Sequence, residues 1–113
     1  ADQLWGGEGD DTFVVDDLGD VVIEYAGQGV DTVRASIDYQ IADDVEIENL
    51  VLTGTAVTGI GNHLDNHVTG TDAHNVLYGG AGDDTIDGGA GGDHMWGGEG
   101  DDTIIVDDID DVV

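Results

Sequence analysis

The sequence contains, at residues 79–87, the stretch Gly-Gly-Ala-Gly-Asp-Asp-Thr-Ile-Asp, which is one copy of a nine-residue unit. The same register runs without interruption from Gly61 to the C-terminus and returns from Ala1 to Ile23. A fixed short period of this kind is typical of solenoid proteins, in which neighbouring repeats stack on one another. The unit therefore predicts a solenoid.

Two positions of the unit keep the same chemistry in every copy. The eighth position is apolar, at Leu4, Phe13, Val22, Val68, Leu77, Ile86, Met95, Ile104 and Val113. The sixth position carries a side-chain oxygen acceptor, at Asp2, Asp11, Asp20, Asn66, Asn75, Asp84, Asp93, Asp102 and Asp111. Each unit predicts a six-residue turn and a very short strand with one inward side chain, and two such units make one coil of the solenoid.

Glycines mark four of the predicted turns. A glycine pair begins each of these turns and a third glycine holds the fourth position, at Gly6, Gly7 and Gly9, at Gly79, Gly80 and Gly82, at Gly88, Gly89 and Gly91, and at Gly97, Gly98 and Gly100. These positions require a positive φ or a close approach of two backbones.

A longer period supports the coil length. The stretch Leu4–Thr12 recurs as Met95–Thr103, an offset that is within one position of five two-unit coils. Between the two blocks, residues 24–60 break the unit but keep strand signals, such as the alternation Ile37, Tyr39, Ile41. We predict one all-β solenoid domain without helices, with repeat blocks at 1–23 and 61–113 and a spacer of about two irregular coils at 24–60.

The composition excludes several classes of function. The chain carries 27 acidic residues and one basic residue, Arg34, which gives a net charge of −26. Such a charge excludes nucleic acid as a partner, and compaction of the chain requires cations from outside. The sequence has no cysteine, no apolar run long enough to span a membrane and no export signal. We expect it to be a piece of a larger protein.

The glycine-rich units resemble the hemolysin-type, or RTX, calcium-binding nonapeptide. The resemblance is clean over residues 79–105 and 6–14, and residues 24–60 mostly depart from it. It implies a right-handed parallel β-roll with several Ca²⁺ ions bound between turns one coil apart, by aspartates and backbone carbonyls. It also implies type I secretion and an extracellular location.

Carried onto this sequence, the resemblance implies a set of ligand pairs. Asp84 and Asp102 occupy equivalent turns one coil apart, so we expect them to share an ion. The other expected pairs are Asp93 with Asn75 and with Asp111, Asp84 with Asn66, Asp2 with Asp20, and Asp11 with Asp31. The expected turn ligands are Gly6, Gly7, Gly9, Gly79, Gly80, Ala81, Gly82, Gly88, Gly89, Ala90, Gly91, Gly97, Gly98, Glu99 and Gly100.

Two simpler interpretations of these residues stay open. Aspartate also favours turns by accepting hydrogen bonds from nearby backbone, and asparagine ladders stabilise stacked turns without a metal. The paired acids are not expected to be catalytic, because nearly every turn has one.

The predicted function is a calcium-binding module, not an enzyme, that folds on binding Ca²⁺ and supports the secretion of a larger protein. The alternatives are an adhesive module that contacts a cell surface or a polysaccharide, and an accessory part of a secreted carbohydrate-active enzyme or protease. We predict no membrane insertion, and the open strand edges allow end-to-end stacking of copies.

Overall fold

A computed structural model describes all 113 residues and contains twelve β-strands and no helix. No segment could therefore cross a membrane as a helix. The strands are short because glycine-rich and polar turns interrupt the chain every few residues. They are β1 Gln3–Trp5, β2 Thr12–Val15, β3 Val21–Ile23, β4 Thr32–Ala35, β5 Tyr39–Gln40, β6 Asn49–Leu52, β7 Thr58–Ile60, β8 His67–Thr69, β9 Val76–Ala81, β10 Thr85–Asp87, β11 His94–Glu99 and β12 Thr103–Ile105.

The strands form parallel sheets that wrap into a solenoid. One sheet has six strands in the order β12-β10-β8-β6-β4-β2, and across the core lie a sheet of four, β11-β9-β7-β5, and a pair, β1-β3. In the regular blocks each residue pairs with its equivalent one coil further on, as Thr85 does with Thr103 and Leu4 with Val22. The predicted all-β solenoid with about 18 residues per coil is confirmed.

The core is one continuous cluster of inward side chains that the facing sheets contribute. Because side chains alternate along a strand, the eighth residue of a unit faces inward, and Leu77, Ile86 and Met95 are fully buried. Each such side chain contributes roughly 1.5–3 kcal/mol of hydrophobic stabilisation. Val113 is an exception at 66% exposure. The expectation of an inward side chain is wrong there, because only an isolated bridge between His94 and Val112 joins this end to the roll.

The spacer continues the same core with different coil lengths. The step from one coil to the next is 20 residues from Asp11 to Asp31 and only 17 residues from Asp31 to Glu48. The spacer is also the more apolar part, since its strands and turns bury seven of the fourteen core residues: Val33, Ala35, Ile41, Ile47, Leu50, Leu52 and Ala56.

In two units the predicted six-residue turn is partly strand. Strands β9 and β11 run on through Ala81 and Glu99, and the two glycine turns pair with each other through Gly80 and Gly98. The turn is shorter than expected because backbone groups of two stacked turns hydrogen-bond across the coils.

Candidate metal centres

The sixth-position side chains, together with Asp31 and Glu48 of the spacer, form two columns along the solenoid, because each of these residues immediately precedes a strand or, at Asp111, an isolated bridge. The first column lies at the start of the six-stranded sheet and contains Asp11, Asp31, Glu48, Asn66, Asp84 and Asp102. The second column lies on the other side and contains Asp2, Asp20, Asn75, Asp93 and Asp111.

Within a column, one carboxylate oxygen joins each coil to the coil before it. The backbone N–H of Asp84 donates to Oδ1 of Asp102 at 3.0 Å, and that of Asn66 donates to Oδ1 of Asp84 at 2.7 Å. The other expected pairs meet in the same way: Asn75 with Asp93, Asp93 with Asp111, Asp2 with Asp20 and Asp11 with Asp31. The structure therefore brings together every pair that the sequence placed one coil apart.

The second carboxylate oxygen distinguishes the glycine-pair turns, which we call open turns: residues 6–11, 79–84, 88–93 and 97–102. In three of them, Oδ2 of the sixth-position aspartate is buried and has no hydrogen-bond donor, at Asp11, Asp84 and Asp93. Asp84 and Asp93 are at most 1% exposed. An unpartnered buried carboxylate is strongly unfavourable, so each of these atoms requires a proton or a cation.

The pKa shifts in the open turns also indicate that the aspartates there need a proton or a cation. Burial raises the pKa of Asp84, the hydrogen bond from Asn66 lowers it, and the negative charges of Asp102, Asp65 and Asp83 raise it further. Burial also raises the pKa of Asp93, against the hydrogen bond from Asn75. Both groups resist ionisation unless a positive charge is placed beside them.

Glycine makes room for this arrangement. The second and fourth positions of an open turn have positive φ, as at Gly80 (φ 120°) and Gly82 (φ 105°). At the first position, a side chain on Gly79 would collide with Oδ2 of Asp84 and would lie 2.6 Å from the carbonyl oxygen of Gly97, one coil further on. A carboxylate oxygen and a backbone carbonyl thus converge on one small space, and these are the donors that Ca²⁺ prefers. The chain's residues fit the ion that the resemblance implies.

Four other turns, which we call closed turns, use the same oxygens differently: residues 15–20, 61–66, 70–75 and 106–111. The backbone N–H at the second position donates to the sixth-position side chain of the same turn. Asn62 donates to Oδ1 of Asn66 at 2.7 Å, and Asp16 donates to Oδ2 of Asp20 at 3.2 Å. Thr71 and Asp107 make the equivalent bonds to Asn75 and Asp111.

The asparagine amides complete the closed turns. Nδ2 of Asn66 donates to the carbonyl of Ile47 at 2.9 Å, and Nδ2 of Asn75 donates to the carbonyls of Ala56 and Val57 at 3.3 Å. At Asp20, backbone donors, first that of Asp2, lower the pKa of the carboxyl group. At Asp111 the donor of Asp93 has the same effect on the pKa. A metal role for these four residues and for Asp2 stays a prediction.

Sequence reasoning missed two acids: Glu48, which lies in the first column, and Glu24, which lies beside it. Glu24 is 2% exposed and lies with Asp11 and Asp31 in a group whose ligand atoms are all within 4.8 Å of one another. Oε2 of Glu48 accepts the backbone N–H of Asp31 at 2.8 Å. Glu24 lies one regular coil length after Gly6, so extending the repeat register past Ile23 would have identified it.

Comparisons with known proteins agree with this geometry. The model of the RTX calcium-binding nonapeptide repeat matches four copies, over residues 1–22 and 65–106, which is more than half of the chain. Endo-1,3-1,4-beta-glycanase ExsH of Rhizobium meliloti (strain 1021) is 35% identical over 81 residues, which cover 72% of this chain and 15% of that protein. The chain therefore matches only a small part of that relative. No solved structure matches the chain.

Proposed function

The chain belongs to the RTX calcium-binding nonapeptide repeat family, and from this membership we propose that it folds when Ca²⁺ binds to its open turns and thereby supports the extracellular folding of a larger secreted protein. The observation that carries the proposal is the pair of buried Oδ2 atoms of Asp84 and Asp93, which have no donor in the protein. Calcium supplies the positive charge that these atoms lack.

The two carboxylate oxygens of each sixth-position aspartate and the glycines of its turn have different roles. Oδ1 of each sixth-position aspartate fixes the spacing of two coils through one backbone hydrogen bond, and Oδ2 is held toward the first glycine of its own turn. The glycines leave space for the ion and direct carbonyls toward it. The proposed ligands are the open-turn aspartates Asp11, Asp84, Asp93 and Asp102, together with carbonyls of the glycine-rich positions.

Coupling between binding and folding follows from the balance of forces. A chain with a net charge of −26 repels itself, and each nonapeptide strand buries one inward side chain. We propose that the chain stays largely unfolded where calcium is scarce, inside the cell, and folds where calcium is plentiful, outside it. This order suits export by a type I secretion system.

Calcium titration of the metal-free protein, followed by far-UV circular dichroism with Mg²⁺ as the control ion, tests the proposal. We expect a cooperative gain of β-structure with Ca²⁺ and a much weaker response to Mg²⁺, which demands a tighter octahedral site. A chain that is fully folded in chelator, or that ignores calcium, would contradict the proposal.

A matched pair of variants locates the effect. Asp84→Asn keeps the acceptor for the N–H of Asn66 but replaces Oδ2 with a donor, so we expect weaker calcium binding and a higher calcium midpoint. Asp38→Asn removes the same charge in the spacer, where Oδ1 accepts from Val57 and Thr58 outside any open turn. The control variant should keep the wild-type midpoint.

The named relative favours a second candidate, an accessory part of a secreted carbohydrate-active enzyme. A cleft of about 490 Å³ opens between β3 and β5, which are not hydrogen-bonded to each other, and is lined by Tyr25 and Tyr39 beside Asp20, Glu24 and Asp44. Aromatic rings are suited to stack on a sugar, and neighbouring carboxylates accept hydrogen bonds from its hydroxyl groups.

Affinity electrophoresis in mixed-linkage β-glucan tests this second candidate. Retardation of the protein that Tyr25→Ala abolishes supports it, and unretarded migration contradicts it.

A further inference from the structure

The turn at residues 24–31, which stacks on the first open turn one coil further on, does not belong to the repeat, yet it completes a cluster of acids. Trp5 pairs with Ile23 and Thr12 pairs with Thr32, so Glu24 stands where an open turn has its first glycine, and Asp31 stands at the sixth position. Two extra residues separate these positions. Glu24 and Asp31 both lie outside the residues that match the family.

Three carboxylates converge at this place. The ligand atoms of Asp11, Glu24 and Asp31 lie within 4.8 Å of one another, and Glu24 and Asp31 are 2% and 1% exposed. Oδ2 of Asp11 is buried without any donor. The other two acids accept backbone hydrogen bonds: Asp11 donates to Oδ1 of Asp31 at 2.8 Å, and Gly7 and Tyr25 donate to Oε2 and Oε1 of Glu24 at 3.3 and 3.0 Å. These bonds bring no positive charge to the cluster.

Gly6 lets the carboxylates of Glu24 and Asp11 approach each other closely. A side chain on Gly6 would collide with Oε2 of Glu24 and would lie 2.7 Å from Oδ2 of Asp11. Because Gly6 has no side chain, the glutamate reaches from the neighbouring coil into the space in front of it. At the first glycine of each of the other open turns, the nearest side-chain oxygen is Oδ2 of the turn's own aspartate, as Asp84 is at Gly79.

No positive charge of the protein balances the cluster. The single basic side chain, Arg34, is exposed and makes no ion pair. Burial raises the pKa of Asp31, and the charges of Glu24, Glu48 and Asp11 raise it further. Buried acids this close together are stable when they bind a cation or share protons.

We propose that Asp11, Glu24 and Asp31 form a three-carboxylate calcium site at the seam between the first repeat block and the spacer. Glu24 replaces a backbone carbonyl of the ordinary arrangement with a charged side chain. The site rests on the proposed function in that calcium is its ion, but its ligand set is its own. It extends metal binding beyond the residues that match the repeat.

The test compares Glu24→Gln with Glu48→Gln. Both remove one negative charge beside Asp31 and both keep a side-chain acceptor, but only Glu24 belongs to the cluster. By equilibrium dialysis with calcium, we expect Glu24→Gln to bind one ion fewer per chain, or to weaken one site at least about tenfold, and Glu48→Gln to match wild type. Equal binding by Glu24→Gln and wild type would overturn the site.

Terbium luminescence gives a second readout that reports on this end of the roll in particular. Trp5 lies next to Gly6 in the chain, so it should sensitise Tb³⁺ bound at this site, and Trp96 next to Gly97 should sensitise the other block. In a Trp96→Phe background, Asp11→Asn and Glu24→Gln should each remove most of the emission. Persistent emission would overturn the site, whereas a wild-type protein that binds no calcium at all would overturn the proposed function instead.

Discussion

The open turn at residues 79–84 and the closed turn at residues 61–66 are adjacent in the solenoid and have the same length, yet their polar groups are satisfied in different ways. In the closed turn Asn66 accepts from Asn62 and donates to Ile47, so the turn is complete without any ion. In the open turn Oδ2 of Asp84 has no donor. The coil geometry is common to both, and only the open turn leaves a buried carboxylate oxygen that needs a proton or a cation.

The second position of the turn accounts for the difference. A glycine there has positive φ and does not donate to its own aspartate, whereas Asn62 and Thr71 direct their N–H groups at the sixth-position side chain. We therefore expect two kinds of region: the closed turns and the apolar spacer, which should be stable without an ion, and the open turns, which should depend on calcium.

Calcium removal should give the largest difference between the two regions, because it should destabilise the open turns and leave the spacer folded. In chelator, we expect amides of the open-turn region, such as Asp84 N–H and Asp93 N–H, to lose hydrogen-exchange protection at least about tenfold more than those of β6 and β7 in the spacer. Hydrogen exchange followed by mass spectrometry measures this. Equal loss of protection in both regions would contradict the division.

Substitutions at Asn66 and Asp84, which are neighbours in the first column, should change the stability of the metal-free protein in opposite directions. Asn66→Asp loses the donor to Ile47 and adds a buried charge, so it should destabilise the metal-free protein by about 1–3 kcal/mol. Asp84→Asn removes an unpartnered buried charge and should stabilise the metal-free protein by about 1 kcal/mol. Urea denaturation in chelator checks both signs, and the same sign for both variants would contradict the comparison.

Acid should partly replace calcium in the open turns. The folded pKa values of Asp84 and Asp93 lie above the unfolded value of 3.8, so protonation favours the folded state. The metal-free protein should gain stability as the pH falls from 7 toward 4. Below 3.8 this gain is complete, and Asp20 and Asp111, whose folded pKa values are lowered, begin to lose their contribution.

Circular dichroism in chelator across this pH range measures the effect. The double variant Asp84→Asn/Asp93→Asn should show a smaller gain in stability on acidification. A gain equal to that of the wild-type protein would show that other acids are responsible.

The smallest effect should come from the exposed fifth position. Oδ1 of Asp83 accepts the N–H of Asp101 at 2.9 Å, and Asp83→Asn keeps this acceptor while it removes a solvated charge. The change should alter the free energy of unfolding by less than about 0.5 kcal/mol, with or without calcium. A large calcium-dependent shift would mean that the fifth position also belongs to the metal site.

Much of the fold follows from the period of the sequence. The apolar eighth position gives the core from Val68 to Met95, and the two-unit coil gives the pairing of Asp84 with Asp102. The lengths of the spacer coils could not be predicted, because residues 24–60 lack the glycines that fix the register, and Asp31 pairs with Asp11 over 20 residues.

The site was less predictable than the fold. Glu24 was missed because a glutamate in the first position of a turn has no precedent among the other units of the chain. The aspartates at Asp84 and Asp111 are identical in sequence, so the sixth position alone does not distinguish an open turn from a closed one. The distinguishing residue is at the second position, and its effect depends on where one backbone N–H points, which the spacing of the unit does not give.

The parallel pairing of neighbouring coils also determines how the roll yields to force. Strands pair only with the strand one coil before or after them, so no strand pairing joins the first coil directly to the last. A pull on one end peels away the terminal coil first, and each released coil extends by about 60 Å. Under tension the molecule should therefore lengthen in steps, one coil at a time, instead of failing all at once.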